Sequence, residues 1–238
     1  MGKWSSRTDS LKCDEEQIMV KMGLIRVMST EDPGILSSHG RLLEAFLPNL
    51  KVINRCIEGH PKGLWNEDEE RQAIPKIVRL GQEMERNEGV DVLFVSCAAD
   101  PGVLELRETV SIPVIGAGSA SASVALSLGK PVGALSITDW ILLPVAEVLG
   151  KALVGWERPA HVQTTLDLMS EEGKEEIVRA GQRLLDKGAG VILLACTGFS
   201  TVCLAPFLED RLNVPVIDPV LSGGLVAYYA AALNEVMR

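Results

Sequence analysis

A chain of 238 residues, 47% hydrophobic but only 4% aromatic, can bury a sizeable core, as one large domain or two small ones. Its 32 acidic against 23 basic residues, a net charge of −9, exclude the broad Lys/Arg surface that a phosphate backbone requires, so nucleic acid is not an expected partner. The five cysteines, Cys13, Cys56, Cys97, Cys196 and Cys203, are odd in number and lack CxxC spacing, and no apolar signal segment is visible. They read as free thiols in a reducing, cytoplasmic setting.

Residues 1–17, polar and aperiodic, read as a loose tail. From Ile18 onward, short apolar runs alternate with amphipathic stretches: GLIRVM, ILSSHGRLLEAF, KVINRCI, a charged helix around Glu69 to Asn87, then DVLFVS running up to Cys97. This is the βαβ rhythm of a parallel sheet. The weakly charged stretch Val110 to Ile137 is interrupted by Pro113, Lys130, Pro131, glycines and serines, too broken and polar to span a membrane. The rhythm then resumes with PVGALSI, ILLPVAEVLG, ALVGW, the helix EEGKEEIVRAGQRLLDKG, and VILLA running up to Cys196.

The two halves share an order of parts: a glycine, a buried strand, Cys, a small-residue turn, a helix, the string PVI and a small-residue helix. The pattern predicts an α/β fold of two similar Rossmann-like or flavodoxin-like domains with parallel sheets, related by a pseudo-twofold duplication, with the active site in the cleft between them. The helix after each PVI strand is expected to cross to the other half. That places one domain at 18–115 plus 220–238, carrying Cys97, and the other at 116–219, carrying Cys196.

Ligands of open parallel sheets bind beyond the carboxyl ends of the strands, where Cys97 and Cys196 both fall. A helix N-terminus there would lower a thiol pKa from about 8.5 into roughly the 3.5 to 7.5 range, giving a base or nucleophile at neutral pH. A single cysteine ending an apolar strand is ordinarily a core residue, and Cys56 and Cys203 are so assigned; the repeated context sets Cys97 and Cys196 apart. No His adjoins either residue, so a metal site is not expected. Arg26, ending the first strand, reads as a partner for a ligand anion or a surface ion pair. Ser29 and Thr30 bind a ligand or cap a turn, Asp218 reads as a helix N-cap, and His39, His60 and His161 read as solvated. GAGSAS, Gly116 to Ser121, lacks both the P-loop lysine and GxGxxG spacing.

From about Met22 onward the chain resembles the aspartate/glutamate/hydantoin racemase superfamily. It looks most similar to hydantoin racemases in its cysteine before an Asp-Pro-Gly turn, in LRETVSIPVIGAG, and in VPVIDPV after the second cysteine. The resemblance implies two α/β domains, each contributing a catalytic cysteine to one buried small-molecule substrate, without pyridoxal phosphate, metal or other cofactor, and a homo-oligomer. Aspartate and glutamate racemases usually carry Asn-Thr after the first cysteine, where this chain has Ala98-Ala99. They often carry His or Glu in the segment where it has Thr197-Gly198. Hydantoin racemases often show Asn-Pro-Asn where Arg26 to Thr30 stand.

Racemisation removes a proton from one face of a carbon and returns one to the other, which two opposed thiols can do if one is ionised. Backbone N–H groups after Cys97 and Cys196, with Thr197, Ser119 and Thr138, are the expected donors to an enolate oxygen. Ala98, Ala99 and Gly198 would line the site, and Arg26 and Ser29 complete the expected binding set. Alternatives are an aspartate or glutamate racemase, a cysteine-nucleophile isomerase or decarboxylase on the same scaffold, and a non-catalytic small-molecule sensor.

Overall fold

In the computed structural model, residues 19–162, 167–168 and 170–237 are described; the polar tail with Cys13 lies outside them. The first half runs β1 (Val20–Arg26), α1 (Pro33–Phe46), β2 (Leu50–Cys56), α2 (Glu67–Glu83), β3 (Val92–Ser96), α3 (Val103–Thr109) and β4 (Val114–Gly116). After α4 (Ala117–Ser127), the second half runs β5 (Val132–Leu135), α5 (Leu143–Leu149), β6 (Leu153–Glu157), α6 (Glu171–Asp186) and β7 (Val191–Leu194). It closes with α7 (Gly198–Thr201), α8 (Leu204–Leu212), β8 (Val216–Ile217) and α9 (Pro219–Met237).

Two four-stranded sheets result, ordered β2-β1-β3-β4 and β6-β5-β7-β8, and every pairing is parallel. The second order repeats the first element for element, as the α/β duplication read from the sequence requires. Every residue of β3 and β7 is buried, because central strands covered by helices on both faces need a continuous apolar run rather than an alternating one.

The helices are set by local chemistry. Asn66 caps α2 by accepting from Glu69 N–H, with Glu67, Asp68, Glu69 and Glu70 in the first turn, where negative charge meets the positive end of the helix dipole. Ser170 caps α6 by accepting from Gly173 N–H. Gly81 in α2 and Gly181 in α6 occupy corresponding places: a Cβ on Gly81 would lie 2.5 Å from Leu106 Cδ2 of α3, and one on Gly181 would lie 2.5 Å from Leu212 Cδ1 of α8. Both helices carry Gly-Gln there because a neighbouring leucine fills the space of the missing side chain, a trace of the duplication that the strand pattern alone does not display.

The helix that follows each sheet's last strand packs on the other sheet. From α4, Ala122 and Ala125 join the core formed by Val132, Ala134, Val191 and Leu193. From α9, Val220, Ala227 and Ala231 join Val20, Met22, Leu24 and Phe94. Small residues on both helices allow them to pack against each other as well. Among the described residues no helix is long and apolar enough to cross a membrane.

Candidate functional site

β3 and β7 hold the same place in their sheets, so the residues that leave their carboxyl ends are brought to corresponding positions. Cys97 directly follows β3 and Cys196 lies two residues past β7. Both are half-buried free thiols, each packed against the core of its own half. A turn follows each: Asp100 N–H donates to the Cys97 carbonyl at 3.1 Å and Phe199 N–H to that of Cys196 at 3.2 Å. The two segments meet directly, since Thr197 Oγ1 donates to the Ser96 carbonyl at 3.1 Å. The N–H of Ala99 faces the Cys97 sulfur, and the N–H groups of Gly198 and Phe199 face that of Cys196.

These amides do not make low-pKa thiols, contrary to the expectation from sequence. Burial pushes Cys97 far above the ordinary thiol range, with further upward pushes from the charges of Cys196, Glu70 and Asp100. Burial likewise pushes Cys196 up to about 11. The helix argument fails because α3 begins only at Val103, behind an Asp-Pro-Gly turn, and α7 is four residues long; the dipole acts only within about a turn of a substantial helix.

The turn after Cys97 also explains GAGSAS. Asp100, held at φ 50°, accepts from Gly118 N–H at 2.6 Å and Ser119 N–H at 2.9 Å, capping α4. A Cβ on Gly116 would strike the Asp100 carboxyl, and one on Gly118 the Ala98 carbonyl. The glycines seat the Cys97 loop. Asp218 serves α9 as the sequence suggests, accepting from Val220 N–H at 2.8 Å and Leu221 N–H at 3.0 Å, and also from Ser200 Oγ at 2.8 Å.

Of the remaining expected site residues, Ala98 is buried in a core cluster. Ala99 and Ser119 line a cavity of about 630 Å³ with Glu70, Asp100, Trp140 and Leu142. Burial raises the Glu70 carboxyl, and Glu67 adds to the shift. Thr138 Oγ1 lies 3.0 Å from Ser136 Oγ and donates to the Trp140 carbonyl at 3.1 Å. Arg26 is buried and so forms no surface ion pair; Nη1 donates to the Ile35 carbonyl and to Ser38 Oγ of α1. Ser29 donates to Ile57 O and accepts from His60 N–H, both at 2.7 Å, as a loop brace.

Three further assignments change. His39 and His60 are 1% and 2% exposed, not solvated: His39 lies between Ser96 and Thr201, and His60 between Glu69 and Lys76. His161 is exposed, as expected. Cys203 is exposed, not a core residue, because it stands in left-handed backbone at φ 51° where α8 begins. Sequence reasoning also passes over Glu70 and Asp100, which line the cavity beside the Cys97 loop; Asp100 sits in the quoted Asp-Pro-Gly turn and is the more legible of the two. Among the described residues no group of three His, Cys, Asp or Glu side chains is placed to hold a metal ion.

Comparison with known proteins agrees with this architecture. The family described as Asp/Glu/Hydantoin racemase matches residues 41–223. A hydantoin racemase of Pseudomonas sp. (strain NS671) is 30% identical over 170 residues, 68% of this chain and 67% of the relative. An allantoin racemase from Klebsiella pneumoniae superposes with a TM-score of 0.76 at 23% identity, over 90% of this chain and 89% of the other. A crystal structure of arylmalonate decarboxylase superposes with a TM-score of 0.60 at 22% identity, over 89% of this chain and 92% of the other.

Proposed function

Because the chain belongs to the Asp/Glu/hydantoin racemase family, a family of isomerases, we propose that it interconverts the enantiomers of a 5-substituted hydantoin, with Cys97 and Cys196 as opposed acid and base and no cofactor. The observation that carries this reading is the Thr197 to Ser96 hydrogen bond, which joins the immediate neighbours of the two cysteines across the halves. The cysteines then face one cleft, between a domain of 18–115 plus 220–238 and one of 116–219.

In the reaction, the thiolate of one cysteine takes the proton from C5, leaving an enolate conjugated with the ring carbonyl. The opposing thiol then gives its proton to C5 from the other face, and the two sulfurs have exchanged roles. The charge of the pair is unchanged over the turnover, so the same site runs in both directions. Amide N–H groups of Ala99, Gly198 and Phe199 facing the sulfurs favour whichever one is ionised.

The surroundings favour a neutral ring over a dicarboxylate. Glu67, Glu70, Asp100, Glu105 and Glu147, with Arg107, line the cavity that adjoins the Cys97 loop through Ala99 and Asp100, and an excess of negative charge at that approach disfavours an anionic ligand. A hydantoin has neither the ammonium nor the carboxylate of a free amino acid, and its ring carbonyl acidifies the C5 proton. Loss of optical rotation should therefore be faster for L-5-substituted hydantoins than for L-aspartate or L-glutamate. Faster turnover of either free acid would replace this substrate class. Release of carbon dioxide from an arylmalonate, with no racemisation, would move the chain to the chemistry of its decarboxylase neighbour.

A further inference from the structure

His39 is a buried polar side chain that the two-thiol chemistry does not use. It projects from α1 with Gly40 and Leu43 on the buried face. Its Nδ1 lies 2.9 Å from Ser96 Oγ and its Nε2 lies 2.9 Å from Thr201 Oγ1. Ser96 immediately precedes Cys97, and Thr201 ends α7, the helical turn that follows Cys196. The Thr197 hydroxyl also bonds the Ser96 carbonyl directly. One ring thus touches both cysteine segments, and these residues close a buried polar circuit between them.

This arrangement differs from ordinary core filling. An imidazole taken out of water without partners carries a desolvation penalty for each unsatisfied nitrogen, which an apolar side chain of similar size would avoid. Here both nitrogens are satisfied, and their partners come from different halves. Burial, and next the nearby Arg26 charge, hold His39 down to about 3, so it remains a neutral ring with one donor and one acceptor nitrogen. Because both nitrogens are engaged, it is not placed to exchange a proton with substrate. Its rigid five-membered ring fixes the distance between the hydroxyls at its two ends, which a flexible amide would not.

We propose that His39 is a positioning residue whose bridge between Ser96 and Thr201 sets the separation of the Cys97 and Cys196 segments, and thereby couples proton removal on one face to proton delivery on the other. The proposal rests on the two-thiol reading for its consequence in catalysis, but its geometric part stands on the bridge alone. A thiol displaced from its carbon still leaves the opposite thiolate able to remove a proton. That proton exchanges with solvent and returns to the same face. A misplacement of about 1 Å can cost roughly 100-fold in rate, so inversion should fall much further than same-face exchange.

The test uses His39→Gln together with two milder variants, Thr201→Val and Ser96→Ala, each of which deletes one end of the bridge and leaves the imidazole in place. In deuterium oxide with one enantiomer of a 5-substituted hydantoin, the ratio of deuterium gained by unreacted substrate to inversion should rise at least about tenfold in His39→Gln. It should rise by a smaller factor in the milder pair, with KM little changed and kcat reduced. A purely structural role would reduce exchange and inversion by the same factor, leaving the ratio at the parent value, and that result overturns the proposal. The second readout needs no substrate. Dibromobimane, which joins two thiols only when they are close, is reacted at pH 9.5, and the Cys97–Cys196 crosslinked peptide is quantified against singly alkylated peptides. The parent should yield the crosslink and the variants should lose most of it. A parent that crosslinks but racemises no hydantoin leaves the bridge supported and the substrate reading overturned. Undiminished crosslinking in folded variants overturns the bridge.

Discussion

Asp100 and Asp218 tether the two crossing helices to the two cysteine segments by related means. Asp100, three residues past Cys97, reaches the first N–H groups of α4; Asp218, the cap of α9, reaches back to Ser200, four residues past Cys196. Each carboxylate therefore couples a helix that covers one sheet to a loop that carries a thiol. Asp100→Ala should cost about 1–3 kcal/mol by leaving buried amides unpaired. Urea titrations would show this as a lower midpoint at unchanged slope, with a larger loss of turnover than the folded fraction explains, since the Cys97 turn is released as well.

Replacing either cysteine by serine should abolish racemisation but leave half of the chemistry. The hydroxyl that remains is too weak an acid to act as a base, whereas the surviving thiol still serves the enantiomer that presents its hydrogen to that side. Deuterium incorporation followed by chiral chromatography should show Cys97→Ser and Cys196→Ser exchanging opposite enantiomers, and the double variant exchanging neither. Exchange of the same enantiomer by both variants would exclude opposed thiols.

On the proposed two-thiol mechanism, the raised thiols should set the pH dependence of the free enzyme. With Cys196 at about 11 and Cys97 higher, only about a thousandth of Cys196 is ionised at pH 8. The value of kcat/KM should rise close to tenfold per pH unit up to about pH 10. Iodoacetamide should modify the unliganded enzyme slowly at pH 7 and reach Cys196 before Cys97. The same shift carries a stability sign: a thiol raised in the folded state binds its proton more tightly there. That contribution is intact below the ordinary value of 9.0 and is lost as pH rises toward about 11. Cys196→Ser should flatten that alkaline loss.

His39 gives the opposite sign at the acid end. Its folded value of about 3 lies below the ordinary 6.5, so its contribution is present above pH 6.5 and disappears as pH falls toward 3, at a limiting slope of about 1.4 kcal/mol per unit. Urea unfolding at pH 7.0 and 5.0 should show the parent losing about 2 kcal/mol more than His39→Gln over that interval. Equal losses would mean that the ring does not stay neutral when buried.

The central strands and the duplication were legible in the chain itself. DVLFVS and VILLA are continuous apolar runs because both of their faces are covered, and the repeated Cys and PVI strings mark equivalent points. The burial of His39 was not legible, because in ILSSHGRLLEAF the apolar Ile35 and Phe46 are 38% and 52% exposed while the histidine is buried. What reverses that pattern is a pair of hydroxyls 57 and 162 residues away in the chain, and local periodicity carries no trace of them. The thiol shifts were misjudged for a related reason: a cysteine followed by a helix in sequence is not a cysteine at a helix N-terminus when an Asp-Pro-Gly turn intervenes.

The exchange of α4 and α9 between the sheets has a consequence for how this chain could have arisen. A single ancestral half, with its last helix folded back on nothing of its own, would leave one sheet face bare and its final helix unhoused. Two such halves can each close the other, whether fused or separate, so the simplest forerunner is a pair of identical chains exchanging their terminal helices across a twofold axis. Fusion would then have freed the two cysteine loops to diverge, and the difference between Ala98-Ala99 and Thr197-Gly198 is where such a duplicated protein would acquire two unequal sides.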